Sequence, residues 1–349
     1  MRKLLFRPLR SFFRFWPLAL ILAILVACGS PESQLSQGPI KIDGSSTVFP
    51  ITTAVVEAFK ETLQGQNAMI EAQFSGTSGG FRRFCAGETS ISDASRPILI
   101  AEMNACISNA VPFIELPVGF DALTIAVNPA NAWVDQLSLA ELKMIWEKAA
   151  EGKITRWNQI RPNFPDQPLV LYGPGRDSGT FDYFNEAIMG DAKNSRNDYT
   201  GSEDDDVIVK GIADNPNALG YLPFAYFEAN QDRLKPVPID SGKGAVLPSV
   251  ETVQNAQYQP LSRPLFIYVD AKAAQDNNVL KEFVEFYLKE APSLVAKVGY
   301  IPLPEEGYRL AELQFIRGEV GTAFNGAPEP NITIAEILRR QTLFQAQGS

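Results

Sequence analysis

Three times along this chain a short strand-like run enters a turn of Ser, Thr and Gly and leaves it as a helix. The turns are Gly44-Ser45-Ser46-Thr47, Ser75-Gly76-Thr77-Ser78-Gly79-Gly80 and Arg176-Asp177-Ser178-Gly179-Thr180. A chain that repeats strand, turn and helix is restricted to the α/β class. Each such turn also presents backbone N–H groups and hydroxyls at the positive end of a helix. Directed at one point, they hold a dehydrated oxyanion. The sequence has no histidine, which removes the commonest general base and metal ligand.

The rest of the chain keeps the same alternation. Ile51, Ala54, Val55, Ala58 and Phe59 fall on one helix face, with Pro50 in the tolerant first turn. Met69 to Phe74 alternates as a strand, and the helix after the second turn carries Phe81, Phe84 and Cys85 inward. Leu123 to Val127 is continuously apolar, as a buried strand is. Ser138 and Glu141 form a capping box. Pro168–Tyr172 and Phe266–Val269 read as further strands, while Phe181, Phe184 and Ile188, then Val279 to Leu288, mark amphipathic helices. Ile332 to Phe344 predicts one more helix, in a C-terminal appendage of residues 326–349. Glu203-Asp204-Asp205-Asp206 reads as a solvated turn and helix start, and no metal or cofactor is expected. Trp146 and Trp157 are expected in the core or the wall of a cleft.

At 349 residues the chain can form two domains. Arg2, Lys3, Arg7, Arg10 and Arg14 precede an apolar run, Pro17 to Val26, that is short for a bilayer span. Residues 1–27 therefore read as an export signal or as a single-span anchor. Leu25-Val26-Ala27-Cys28 resembles a bacterial lipobox, in which the signal is cut before a lipidated cysteine, and this favours the first reading. Residues 28–37, rich in Ser, Gln and Pro, would be a tether. Loss of the leader and its five basic residues would move the formal charge from −9 to about −14. So acidic a protein is a poor partner for nucleic acid, and an anionic ligand must be drawn by local dipoles and arginines. With Cys28 lipidated, Cys85 and Cys106 remain as a disulfide in an oxidising compartment or as two reduced buried thiols.

Further marks stand in a fixed order: Asp43-Gly44-Ser45-Ser46-Thr47-Val48, the second turn with Phe81, Asp93-Ala94-Ser95-Arg96-Pro97, Gly175 to Thr180, Leu219-Gly220-Tyr221, Leu261-Ser262-Arg263-Pro264 and Gly299 to Pro304. By these the chain, from Ile40 to Phe324, resembles the PstS family, the phosphate-binding lipoproteins of bacterial ABC importers, and within it the SphX-like branch. The resemblance implies a two-lobed periplasmic-binding-protein fold of type II with the ligand in the interlobe cleft. Lobe 1 would be 38–122 plus 263–325 and lobe 2 would be 123–262, with crossings near Leu123 and Ser262-Arg263-Pro264. It implies a lipid-anchored, extracytoplasmic monomer that passes inorganic phosphate to ABC permease subunits and performs no covalent chemistry. The ligand donors it implies are Ser46, Thr47 and Val48, then Thr77 and Ser78, then Ser178, Gly179 and Thr180. Arg176 would be a charge-assisted donor.

One position departs from the family pattern. Many relatives place an Asp after the Ala-Ser, where it accepts the proton of phosphate and repels ionised sulfate. Here the residue is Arg96, which strengthens anion binding but accepts no hydrogen bond. Asp177 is the first candidate to replace that acceptor, ahead of Asp43 or Asp93. Three rival readings stand beside the phosphate receptor. A hydrolase lacks His and has no Ser-x-x-Lys in its Gly-rich turns. A receptor for sulfate, molybdate or arsenate would use the same turns, as would a phosphate-sensing lipoprotein.

Overall fold

Each Ser/Gly turn follows the carboxyl end of a parallel strand, where open α/β sheets bind ligands. The computed structural model describes residues 38–340 apart from Asp177, residues 192–193, residues 328–331, Ala335 and Leu338. The expected signal, Cys28 and the whole of the tether lie outside the described residues, as do Asp177 and residues 341–349. The chain runs β1 (Ile40–Gly44), α1 (Phe49–Lys60), β2 (Ile70–Ala72), α2 (Thr77–Cys85), β3 (Ile91–Ala94), α3 (Ile100–Ser108) and β4 (Phe113–Val127). Then come β5 (Leu137–Ser138), α4 (Leu139–Trp146), β6 (Val170–Pro174), α5 (Gly179–Met189), β7 (Thr200–Ser202), α6 (Asp205–Asp214), β8 (Ala218–Pro223) and α7 (Phe224–Glu228). After β9 (Lys235–Pro236), β10 (Ile239–Asp240), β11 (Ala245–Val246) and α8 (Val250–Gln254), the chain returns through β12 (Ser262–Asp270), α9 (Ala271–Asp276), α10 (Asn278–Lys297) and α11 (Glu305–Arg317).

Strand pairing divides these elements between two lobes that share β4. In the first lobe β1 lies parallel to β2 and β3, and β12 pairs antiparallel with β3 and with β4 over Phe113–Ala122. From Leu123 to Val127 the same strand pairs with β8 instead, and β6 lies parallel to both β8 and β7. Every residue of β4 is buried. Only its second half, Leu123–Val127, was legible as a buried strand, because Glu115, Pro117, Gly119 and Asp121 interrupt the apolar run before it. Polar partners make those interruptions tolerable. The Glu115 carboxylate accepts from Tyr268 Oη (2.6 Å), Thr322 Oγ1 (2.6 Å) and the Ala323 N–H (3.0 Å).

Local expectations are met with informative shifts. The capping box forms, with Glu141 N donating to Ser138 Oγ at 3.3 Å and Ser138 N to Glu141 Oε2 at 2.8 Å. The buried face of α1 is Ile51, Thr52, Val55, Val56 and Phe59, while Ala54 and Ala58 are half-buried. The face turns because the Thr52 hydroxyl donates to the buried Asp93 carboxyl (2.9 Å). Both tryptophans are core, not cleft wall: Trp146 packs edge-on to Tyr221 (4.8 Å) and Trp157 to Trp133 (5.7 Å). Gly44 has φ 146°, and a Cβ there would lie 2.1 Å from the Asp93 carbonyl, so only glycine lets β1 turn against β3. Cys85 and Cys106 are joined as a disulfide that ties α2 to α3. Of the C-terminal appendage, Ile332, Ile334 and Ile337 are buried in the core. Among the described residues no helix is long and apolar enough to cross a membrane.

Two consequences for stability can be measured. Closing a loop across a separation of 21 residues constrains the unfolded chain by about 3 kcal/mol. Replacing Cys85 and Cys106 together by Ala should cost about that much in denaturant unfolding, and an unchanged midpoint would contradict it. Burial, against the Thr52 hydrogen bond and aided by repulsion from Asp43, pushes the Asp93 carboxyl up to about 8. An unfolded Asp titrates near about 4. Between these values the folded protein keeps a proton that the unfolded chain releases, so stability declines as pH rises through the window and levels off above it. Asp93→Asn should flatten that decline in thermal melts across the same pH range.

Candidate anion-binding site

Turns after β1, β2 and β3 meet α5 around a cavity of about 340 Å³. In the first turn Ser45 is spent on the backbone: its Oγ accepts from Thr47 N (3.2 Å), and its carbonyl from Phe49 N (3.0 Å). Ser46 and Thr47 line the cavity, whereas Val48 is wholly buried as the N-cap residue of α1. No side chain caps α1. The second turn is similar, since α2 begins after Gly76 (φ 78°), which has no side chain to offer. Helix starts without a side-chain cap leave N–H groups for water or a ligand. Thr77 and Ser78 line the cavity, and Thr77 Oγ1 is fixed by Ser95 through its hydroxyl (3.1 Å) and its N–H (3.2 Å).

The third turn behaves differently. Ser178 caps its own helix by accepting from Thr180 N (3.2 Å). Ser178 and Thr180 face a neighbouring cavity of about 240 Å³, and Gly179 borders both. Gly179 stands directly against the first turn, because a Cβ there would lie 3.1 Å from Thr47 Oγ1. The structure thus brings Ser46, Thr47, Thr77, Ser78 and Gly179 around one space, with Ser178 and Thr180 behind them. Arg176 is not among them: it is exposed, hydrogen-bonds Asn197 and lies 5.6 Å over the Phe181 ring.

Charge in the cavity comes from elsewhere. Arg96 borders it, but its guanidinium is bound bidentately by Glu102 (2.8 and 2.9 Å) and donates to Ser78 Oγ (2.8 Å). Its charge is therefore largely matched before any ligand arrives. Arg263 was quoted in a motif and given no role, yet it is central. It stands opposite Asp121 in the β12–β4 register, donates to the Asp121 carboxylate through Nε and Nη2 (both 3.2 Å), and reaches Thr47 Oγ1 through Nη2 (3.2 Å). Its guanidinium stacks 3.7 Å from the Tyr183 ring centre. Nothing local in the sequence relates Arg263 to Thr47; the two meet only through the return of the chain.

Of the expected acceptor carboxylates, Asp177 lies outside the described residues, and the other two stand away from the cavity. Asp43 and Asp93 are fully buried beneath the first turn, Asp43 paired with Arg83 (2.5 Å) and Asp93 bonded to Thr52, and neither borders the cavity. Asp182 and Glu186, one turn apart on α5, do border it. Burial raises the Asp182 carboxyl, with Arg263 pulling it down and Glu186 pushing it up. Asp121 and Asp205 border the smaller cavity; burial and then its acidic neighbours push Asp205 to about 6. Asp204 caps α6, as a turn and helix start require. Among the described residues no cluster of His, Cys, Asp or Glu could hold a metal ion.

A family model described as the PBP superfamily domain matches residues 29–291. The protein SphX of Synechocystis sp. is 54% identical over 329 residues, 94% of this chain and 96% of its own. The phosphate-binding protein PstS of Staphylococcus saprophyticus is 35% identical over 82% of this chain and 88% of its own. Among solved structures, a possible phosphate-binding protein from Planctomyces limnophilus superposes with a TM-score of 0.76 at 39% identity, covering 81% of this chain and 99% of its own. In sequence and in fold, the chain belongs to the SphX and PstS family of the PBP superfamily.

Proposed function

We propose that the protein is an extracytoplasmic receptor that binds inorganic phosphate between its lobes and delivers it to the permease of an ABC importer. The observation that carries this reading is the convergence of two helix starts without side-chain caps, Gly179 of the facing lobe and Arg263 on one cavity. The names of the PstS relative and of the Planctomyces limnophilus structure point the same way. A tetrahedral anion there receives N–H, hydroxyl and guanidinium donors from both lobes, and those donors are satisfied together only when the lobes are shut. Ligand therefore selects the closed state by a hinge motion. The hinge lies where β4 exchanges β12 for β8, which supports lobes of 38–122 plus 263–325 and of 123–262. Attachment to the membrane is through a lipid on Cys28.

Asp182 takes the place of the acceptor that Arg96 cannot be. A carboxylate at the cleft accepts the proton that phosphate carries near neutrality and repels sulfate, which carries none. Isothermal titration with phosphate and then sulfate tests the whole reading: phosphate should bind tightly and sulfate should be silent. Comparable binding of both would replace phosphate by a general oxyanion, and silence of both would remove the receptor reading.

Arg263→Ala should weaken phosphate binding about ten- to a hundredfold, the worth of a charge-assisted hydrogen bond. Wild-type affinity in that variant would remove Arg263 from the site. Asp182→Asn should admit sulfate while phosphate affinity changes less, as measured by competition between the two anions.

A further inference from the structure

The polar cavity does not end at its donors. Along α5 the residues facing the interlobe space change character with each turn. Gly179 and Asp182 border the polar cavity, Tyr183 and Glu186 border both it and a second cavity of about 260 Å³, and Ala187 borders the second alone. The opposite wall shows the same gradient: Thr77 and Ser78 face the polar cavity only, Ser95 and Arg96 both, and Pro97 only the second. Pro260, Pro264, Phe324 and Ile332 line the second cavity together with the polar Gln259 and Ser262, so much of its wall, though not all, is hydrocarbon. Arg263 stands on the border with its Nη1 making no hydrogen bond among the described residues. The two cavities adjoin, sharing Ser95, Arg96, Tyr183, Glu186 and Arg263 in their walls, and taken together they make a trough rich in donors at one end and more apolar at the other.

A free tetrahedral anion uses only the donor end. At roughly 30 Å³ per water molecule the apolar end has room for a chain of several carbons. We infer that the trough also takes organophosphorus oxyanions, alkylphosphonates or phosphate monoesters, with the tetrahedral head on the donor turns and Arg263 and a short alkyl chain in the apolar cavity. This rests on the phosphate reading of the site and widens its ligand class. A single substituent leaves the head three terminal oxygens for the donors. The chain gains by leaving water, and a polar or charged substituent would lose its hydration against this wall.

Titration calorimetry of the full-length protein in detergent, freed of bound anion, tests the inference. Inorganic phosphate is titrated first, then methyl-, ethyl-, propyl- and butylphosphonate, with butyl phosphate showing whether a bridging ester oxygen is accepted. Affinity should rise about fourfold with each methylene, the equivalent of about 0.8 kcal/mol per buried CH2. In Ala187→Phe, which fills the apolar end, butylphosphonate should lose that gain while phosphate binds as before. Tight phosphate binding with affinity flat or falling along the alkyl series in the unaltered protein overturns the inference and leaves the phosphate reading intact. Silence of phosphate with binding of the alkyl series does the reverse. Silence of every anion overturns both. The alkyl series needs no variant, so misfolding of Ala187→Phe would not shelter the inference.

Discussion

The pairing of Arg263 with Asp121 is the interaction on which the site depends. The two residues face one another across β12 and β4, beside the point where β4 leaves one lobe for the other. Asp121 is buried, so loss of its partner would leave an uncompensated charge at a cost of about 3–5 kcal/mol. Being held from behind, the guanidinium is free of the rotamer disorder that a long side chain otherwise carries into a cleft. From that fixed position it stacks on Tyr183 of one lobe and reaches Thr47 of the other. One side chain thereby joins the hinge, both walls and the first donor turn.

The site also shows how an acidic protein can attract an anion. With 40 acidic against 31 basic residues, the overall field opposes the ligand. Attraction has to be local, and the structure supplies it as dipoles at two helix starts and as one partly committed arginine. Arg96 looks on paper like a large addition of positive charge. Bound by Glu102, it instead braces Ser78, and the same carboxylate accepts from Leu99 N at the start of α3 (2.9 Å). The positive charge of Arg96 is thus balanced at the start of α3 by Glu102, while Asp182 and Glu186 of α5 are carboxylates that border the cavity.

Much of this was legible in the sequence, for reasons that also mark where legibility stops. Helices and their starts follow from local chemistry, and Ser138, Pro50 and the Ser/Gly turns signal them within a few residues. The turns placed Thr47 and Thr77 for the same reason, and both line the cavity. The first half of β4 was missed because its polar residues are satisfied by Tyr268 and Thr322, far along the chain. The role of Arg263 was missed likewise, since its meaning lies in a contact 216 residues away. The resemblance places a cationic donor near the third turn, but the Arg176 side chain is exposed and hydrogen-bonds Asn197, since nearness in sequence does not set direction in space. Asp43 and Asp93 are carboxyl groups in the right segment but lie buried in a layer where Gln73, Thr52 and Arg83 hold them, away from the cavity.

The position of β12 between β3 and β4 bears on the order in which the molecule can be completed. The first lobe is started by β1, β2 and β3, yet its central strand comes from residues 262–270, after the whole of the second lobe has been made. Until that stretch emerges, β3 and the first half of β4 each lack a neighbour, and Glu115 lacks both Tyr268 and Thr322. A partly synthesised chain therefore cannot settle into the first lobe and stays open along its sequence. The late-arriving strand thus acts as a timer written into the topology, because the contacts that complete the first lobe span the whole of the second.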